Sequence, residues 1–163
     1  MSNRGQCLFT SDRADKEIVL PNENRVALGL LFLRIGVFIV MFMWTLDKFI
    51  NPAHAVKVYE AFYFLKGVET GTMYLIGAVE MLIISGFLAG FQKKWTYGAV
   101  LLLHAVSTLS AFKQYLAPFA PGHLLFFAAW PMLAACFTLF YLRDMDTKWT
   151  VEAMKKTKPA HRY

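Results

Sequence analysis

Charged residues are scarce in this sequence: they make up 17% of its 163 residues, whereas 57% are hydrophobic. A soluble domain of this size is typically about a quarter charged and about half apolar, so the composition argues against an ordinary soluble fold. Cysteine is scarcer still, with only Cys7 and Cys136 and no Cys-x-x-Cys pair. Neither a disulfide framework nor a dithiol redox motif is therefore indicated.

Common cofactor and catalytic motifs are also absent from the sequence. It contains no glycine-rich nucleotide loop, nucleophile elbow or His-Glu-x-x-His motif. No His, Cys and carboxylate cluster has metal-ligand spacing. Haem held by two histidines is not expected, since His104 is in the middle of an apolar run and His123 is at the edge of another. We expect no metal and no intrinsic cofactor.

What the sequence does contain is four long apolar runs, at residues 26–49, 73–91, 95–112 and 124–142. About 20 apolar residues cross the roughly 30 Å hydrocarbon core of a bilayer. The pattern predicts an all-α integral membrane four-helix bundle. Proline at position 52 should end the first helix, and residues 53–67 read as a short helix on the outer surface. The chain divides into a cytosolic arm (1–25), a transmembrane domain (26–142) and a basic cytosolic tail (143–163).

The basic residues predict the orientation of these helices. With four spans, twelve of the seventeen lie on the side that carries both termini and the turn at residues 92–94, against four on the other side. Basic residues favour the cytoplasmic side, which predicts that both termini are inside. The first 25 residues lack the apolar stretch of a signal peptide, so the first run should be retained. Orientation accounts for the net charge of +6, and no nucleic-acid partner is expected.

Ionisable residues inside the runs are the candidate functional groups, because charges within a span are costly and usually face protein. Counting about 1.5 Å per helical residue places Arg34, Glu80 and His104 about 12, 16 and 13 Å from the inner face. Two interpretations stay open. Arg34 and Glu80 could form a structural ion pair, or the three residues could form a proton-handling or ligand-binding site.

Helical spacing predicts which residues face the interior. On the first helix Arg34 and Lys48 share a stripe, and Asp47 points to nearly the opposite side, towards the surface helix, the headgroups or another subunit. Lys48 and His123 read equally as interfacial anchors or as a site for a polar head group. The third helix presents one interior stripe: Tyr97, His104, Thr108, Ala111 and Tyr115. The fourth helix presents another, with Cys136 on its far side: His123, Phe127, Trp130, Ala134, Phe137 and Tyr141.

The segments LRIGVFIVMFMWTLDKFINPAH and LIGAVEMLIISGFLAGF resemble the DoxX/DoxD group of small four-helix bacterial membrane proteins. The matching features are an arginine in the first helix, a lysine near its end followed by x-Pro, and Gly-x-x-Glu in the second helix: Arg34, Lys48, Asn51–Pro52, Gly77 and Glu80. Thr45 stands where the group commonly has glycine. The resemblance covers residues 26–142. It implies a subunit of a sulfur or redox system in the bacterial inner membrane, since the DoxD relative belongs to a thiosulfate:quinone oxidoreductase.

The expected function is therefore a membrane subunit of a quinone-linked redox system, with a bound quinone as ligand. The alternative is a non-catalytic accessory or scaffold subunit of a larger membrane complex. Partners would be the lipid bilayer and other membrane subunits or further copies of the chain. The candidate catalytic residues are Glu80, Arg34 and His104. The candidate ligand-binding residues are Lys48, Thr108, His123, Tyr97 and Trp130.

Overall fold

The regular elements of residues 21–65 and 67–157, the part that this computed structural model describes, are all helices. The all-α expectation is confirmed. The expected N-terminal arm lies outside the described residues up to residue 20, as do residues 158–163 of the tail. The elements are α1 (Pro21–Ile50), α2 (Pro52–Phe62), α3 (Thr70–Leu88), α4 (Lys93–Ser110), α5 (Phe112–Leu116), a 3-10 helix (His123–Ala128), α6 (Ala129–Tyr141) and α7 (Val151–Thr157).

Three helical segments are long and apolar enough to cross a membrane: Asn22–Ile50, Thr70–Leu88 and His123–Tyr141. By length and composition the chain is therefore a membrane protein. The run predicted at residues 95–112 is also helical, but α4 is less apolar because it begins with two lysines and contains His104 and Thr108. The predicted surface helix is present as α2, shorter than expected. It ends before Phe64, whose backbone has a left-handed φ of 58°.

Four helices, α1, α3, α4 and α6, share one apolar core. Helix α1 packs along α3, α3 turns back into α4, and α4 packs along α6, which also meets α1. We call the end with the α3–α4 turn and residues 143–157 the tail end, and the opposite end the α2 end. The buried core residues are Leu30, Val37, Ile84, Phe87, Tyr97, Val100, Cys136 and Leu139.

The faces of α1 and α4 are as predicted, whereas the face of α6 is reversed. Arg34, Lys48 and His104 are buried. On α6, Cys136 and Leu139 are buried, and the aromatic row expected inside is outside, with Tyr141 70% exposed. The reason is that lipid is as apolar as a protein core, so small residues pack between helices and large aromatic residues can face the acyl chains.

The chain after α6, which the sequence predicts to be a basic cytosolic tail, folds back over the tail end. Asp146, which is fully buried, accepts hydrogen bonds through Oδ2 from Arg34 Nη1 (2.9 Å) and Tyr97 Oη (2.6 Å). Arg34 Nη2 donates to the carbonyls of Lys148 (2.7 Å) and Trp149 (3.2 Å). These contacts, which we call the tail clamp, attach the segment to both α1 and α4.

The predicted pairing of Arg34 with Glu80 is wrong, because Arg34 pairs with Asp146. The depth estimate failed because α1 has 30 residues and α3 has 19, so α1 extends beyond its neighbour. Arg34 reaches the level of the α3–α4 turn, where its Nη1 lies 3.2 Å from the position that a Cβ would occupy on Gly90. The arginine therefore belongs to the tail end.

Gly90 is required where the tail meets the α3–α4 turn. Its backbone has a φ of 59°, which L side chains rarely adopt. A Cβ at this position would lie 2.6 Å from the Cβ of Thr150. The neighbouring Ala89 carbonyl accepts a hydrogen bond from the Val151 amide at 2.9 Å. Glycine therefore allows both the turn and the close approach of the returning chain.

Asp146→Ala should lower the free energy of unfolding by about 3–5 kcal/mol, because it leaves the buried guanidinium of Arg34 without its carboxylate. Asp144→Ala is the matched control, two residues away, since the Asp144 side chain is 88% exposed; its effect should stay within about 0.5 kcal/mol. Chemical unfolding in detergent measures both. Equal stability of the two variants would contradict a stabilising tail clamp.

Candidate functional site

A cavity of about 1100 Å³ lies between α1, α4 and the segment from the 3-10 helix into α6. Sites for organic ligands typically have about 300–1,000 Å³ and are mostly apolar with a few convergent polar groups. This cavity has that character. Its apolar lining includes side chains that are also exposed on the outer surface of the protein: Phe32, Val40, Trp44, Leu102, Val106 and Leu125.

The first polar group on the cavity wall is an ion pair between Lys48 on α1 and Glu80 on α3. Lys48 Nζ and Glu80 Oε2 are 2.8 Å apart, and their side chains are 9% and 13% exposed. The Thr45 hydroxyl donates to Glu80 Oε2 at 3.2 Å, and the Tyr59 hydroxyl of α2 donates to Oε1 at 3.5 Å. We call these four residues the Lys48–Glu80 cluster. Three helices thus converge on one carboxylate.

Gly77 explains why the ion pair can form. It lies one turn before Glu80 on α3 and is buried. A Cβ at Gly77 would come within 2.9 Å of the Phe49 ring and 3.3 Å of the Cβ of Lys48. Glycine therefore lets α1 and α3 approach closely at this level, which brings the lysine and the glutamate within contact distance.

The second polar group is formed by His104 and Thr108 on α4. The Thr108 hydroxyl donates to the His104 carbonyl at 2.8 Å, so its oxygen is free to accept. His104 Nε2 lies 3.1 Å from the Ala129 carbonyl and 3.3 Å from Thr108 Oγ1. Because a carbonyl only accepts, Nε2 carries the proton in this arrangement. In the neutral ring Nδ1 is then an acceptor, and it has no partner among the described residues.

The adjacent charges of Asp47 and Lys48 serve different surfaces, as helical spacing predicted. Lys48 points to the cavity, whereas Asp47 points to the start of α2. Asp47 Oδ2 lies 2.7 Å from His54 Nδ1, whose side chain is 59% exposed. The outward pair ties α2 to the end of α1, and so holds Tyr59 over the cavity.

The predicted site residues fall into three places. Lys48, Glu80, His104 and Thr108 border the cavity. Arg34 and Tyr97 belong to the tail clamp instead, so the expected convergence of Arg34 with Glu80 and His104 does not occur.

Two further predicted ligand-binding residues lie at the α2 end outside the cavity wall. The Nδ1 of His123 lies 2.8 Å from the Ala117 carbonyl in the loop before the 3-10 helix. Trp130 is on the exposed side of α6, with its side chain 47% exposed and its ring 5.7 Å from that of Tyr115. Neither contact requires a ligand.

Sequence reasoning missed three residues that the structure makes important. Tyr59 has helical spacing with Phe62 on α2, a signal that α2 has a face turned towards protein. Thr45 is on the same stripe as Lys48, which was the available signal for its contact with Glu80. Asp146 is in the segment predicted to be a basic cytosolic tail, and no local pattern in the sequence indicates its burial.

Burial raises the pKa of the Tyr59 phenol above its ordinary value of 10.0, and the nearby Glu80 carboxylate raises it further. Above pH 10.0 the phenol therefore ionises in the unfolded chain while it stays protonated in the folded protein. The contribution of the protonated phenol to the free energy of unfolding is present below pH 10.0 and is lost as the pH rises above it.

Tyr59→Phe should reduce the steepness with which the unfolding temperature falls above pH 10.0. Tyr141→Phe is the control and should follow the wild type, because the Tyr141 ring is 70% exposed. Thermal unfolding followed by circular dichroism in detergent measures the three pH profiles. A Tyr59→Phe profile identical to the wild type would contradict a buried phenol beside Glu80.

The residues around the cavity offer donors and acceptors for an organic ligand. Within residues 21–65 and 67–157, no group of three or more His, Cys, Asp or Glu side chains is placed to hold a metal ion. Comparison with known proteins adds no relative: the chain matches no family model, no curated protein and no solved structure.

Proposed function

We propose that this protein is a quinone-binding membrane subunit of a redox system, with the quinone ring in the cavity between α1, α4 and α6. The observation that carries the proposal is the combination of a large apolar cavity with polar groups on different helices, the Lys48–Glu80 cluster and the His104–Thr108 pair. A quinone is an apolar molecule with two carbonyl oxygens on opposite sides of a ring. It needs this combination of an apolar slot and hydrogen-bond donors.

The proposal places the whole helical core in the bacterial inner membrane, with α4 as the fourth span and the tail end in the cytosol. Helix α4 has 18 residues, which is about 27 Å at 1.5 Å per residue. Its polar residues Tyr97, His104 and Thr108 are buried against protein. From residue 98 onwards its exposed side chains are apolar apart from Ser107: Leu102, Val106 and Leu109. The basic residues concentrated at the tail end favour the cytosolic side for that end.

Ligand entry would be lateral, from the bilayer, because several cavity-lining side chains are also on the lipid-facing surface. Leu102 is 65% exposed and Leu125 is 79% exposed, and both line the cavity. A quinone with a long isoprenoid chain could leave that chain among the lipids. Only the quinone ring would then have to leave the acyl chains and enter the cavity.

The chain's own residues would bind the ring and handle protons. Lys48 Nζ is a donor for one carbonyl oxygen, and Glu80 is a proton acceptor within the same cluster. His104 Nδ1 is an acceptor for the hydroxyl of a quinol. Electrons would be exchanged with a partner subunit, as the resemblance to the DoxX/DoxD group implies. Arg34 and Tyr97, expected at the site, would contribute only through the tail clamp.

The alternative function is a non-catalytic accessory subunit, and the aromatic row on α6 is the feature that favours it. Phe137 and Tyr141 stack at 5.9 Å between ring centroids and are both exposed. Such a row could pack against another membrane protein. In that case the cavity would hold ordinary lipid, and the chain would co-purify with a larger complex without bound quinone.

Ala135→Phe should lower the affinity for a short-chain quinone by at least about tenfold, because it places a ring in the cavity that Ala135 lines. Ala134→Phe is the matched control, since the adjacent Ala134 is exposed to lipid. Quenching of tryptophan fluorescence by the quinone measures binding, with Trp44 on the cavity wall as the reporter. Trp44→Phe should remove most of the quenching.

Two outcomes would contradict the proposal. One is the absence of saturable quinone binding to the purified wild type. The other is equal affinity of the Ala135→Phe and Ala134→Phe variants, which would place the quinone outside the cavity. Recovery of the chain from native membranes in a fixed ratio to a larger complex, with no quinone in the organic extract, would favour the accessory function instead.

A further inference from the structure

The tail end carries exposed aromatic and basic side chains that the quinone proposal does not use. Trp149 is 78% exposed and Trp95 is 71% exposed, and Met154 on α7 is 60% exposed. Lys94 and Lys155 are also exposed, and each lies over an aromatic ring. Lys94 Nζ is 5.8 Å from the ring of Trp95 in the first turn of α4, and Lys155 Nζ is 5.3 Å from the ring of Phe91 in the α3–α4 turn. Aromatic and basic residues therefore alternate on this surface.

The tail clamp fixes this surface in place. Arg34 binds the carbonyls of two consecutive residues, Lys148 and Trp149, so it holds the backbone on both sides of the Trp149 Cα. The Trp149 backbone adopts a left-handed φ of 51°, an unusual conformation for a non-glycine residue that needs support from its surroundings. With its backbone held against the buried arginine, the indole side chain remains outside. The exposure of Trp149 is thus built into the fold.

The charge balance of the surface is positive. Lys94, Arg143, Lys148 and Lys155 contribute four positive charges, and the acidic residues among them are Asp144 and Glu152. Glu152 is already engaged, since its Oε1 accepts a hydrogen bond from the Lys93 amide at 3.0 Å and its Oε2 lies 3.9 Å from Lys93 Nζ. A surface of this charge is complementary to an anionic layer.

We propose that the tail end binds anionic phospholipid headgroups through Lys94, Lys148 and Lys155, with Trp95 and Trp149 inserted at the level of the headgroups. Each of the three helical segments long enough to cross a membrane has one of its ends in this region. The tail end would therefore meet the headgroup layer. Indole rings prefer that layer because they are apolar with one polar N–H. Basic residues next to it are attracted to anionic lipid.

Brominated lipids test the proposal on detergent-purified protein. Brominated phosphatidylglycerol should quench tryptophan fluorescence at a concentration at least about tenfold lower than brominated phosphatidylcholine does, and added salt should reduce the difference. The double variant Lys94→Gln/Lys155→Gln should lose most of the preference for phosphatidylglycerol, because each lysine contributes about fivefold to it. Trp149→Phe should lower the quenched signal. Lys57→Gln/Lys113→Gln, at the α2 end, is the matched control and should keep the preference.

Three results would overturn the proposal: equal quenching by the two lipids, an equal loss of preference in the Lys57→Gln/Lys113→Gln control, or full competition by inorganic phosphate. The last would assign the site to free phosphate and not to a lipid surface. Because the substituted lysine side chains are exposed, the variants should fold as the wild type does. The outcome is also independent of quinone binding.

Discussion

The structure depends on one constraint: a charged side chain inside an apolar group of helices must have a partner of opposite charge. Removing an ion from water costs several kcal/mol even after relaxation. Two close pairs meet the constraint in the described part of the chain, and the buried Lys93 has Glu152 at 3.9 Å and the Asp146 carbonyl at 2.7 Å. Lys48 and Glu80 are 2.8 Å apart, and Arg34 and Asp146 are 2.9 Å apart. The first pair joins α1 to α3, and the second joins α1 to the segment that follows α6.

The two pairs divide the protein into parts with different properties. The Arg34–Asp146 pair is enclosed, with side chains 1% and 0% exposed, and it is surrounded by backbone carbonyls and Tyr97. Two of its polar atoms, Arg34 Nε and Asp146 Oδ1, are buried without a hydrogen-bond partner, so part of the desolvation cost is not offset. A cluster of this kind serves mainly to specify which segments meet.

The Lys48–Glu80 pair is different because it borders a cavity. One of its carboxylate oxygens has only the long contact of 3.5 Å with Tyr59, so a ligand could compete for it. His104 contributes a second set of polar atoms to the same cavity. This part of the core therefore combines a stabilising charge pair with polar groups that a ligand could use. It is separate from the tail clamp.

The sequence predicts the helices well and their contacts less well. Apolar runs have a clear length, and the polar stripe of α1 identifies a protein-facing side, so Lys48 and Asp47 could be placed on opposite faces. For α6 the same reasoning failed, because it has no charged residue and its aromatic and small residues are equally suited to lipid or protein. Asp146 could not be foreseen, since its burial depends on a chain reversal between distant segments. Gly77 was recognised only as part of a motif, although its role is the close contact with Lys48.

A double-mutant cycle of unfolding free energies tests the pairing most directly. Glu80→Gln is combined with Lys48→Met in one cycle and with Arg34→Met in the other. Direct contact between Lys48 and Glu80 predicts a coupling of about 1–3 kcal/mol in the first cycle, and the separate location of Arg34 predicts a value within about 0.5 kcal/mol of zero in the second. A coupling of Glu80 to Arg34 as large as its coupling to Lys48 would contradict the account.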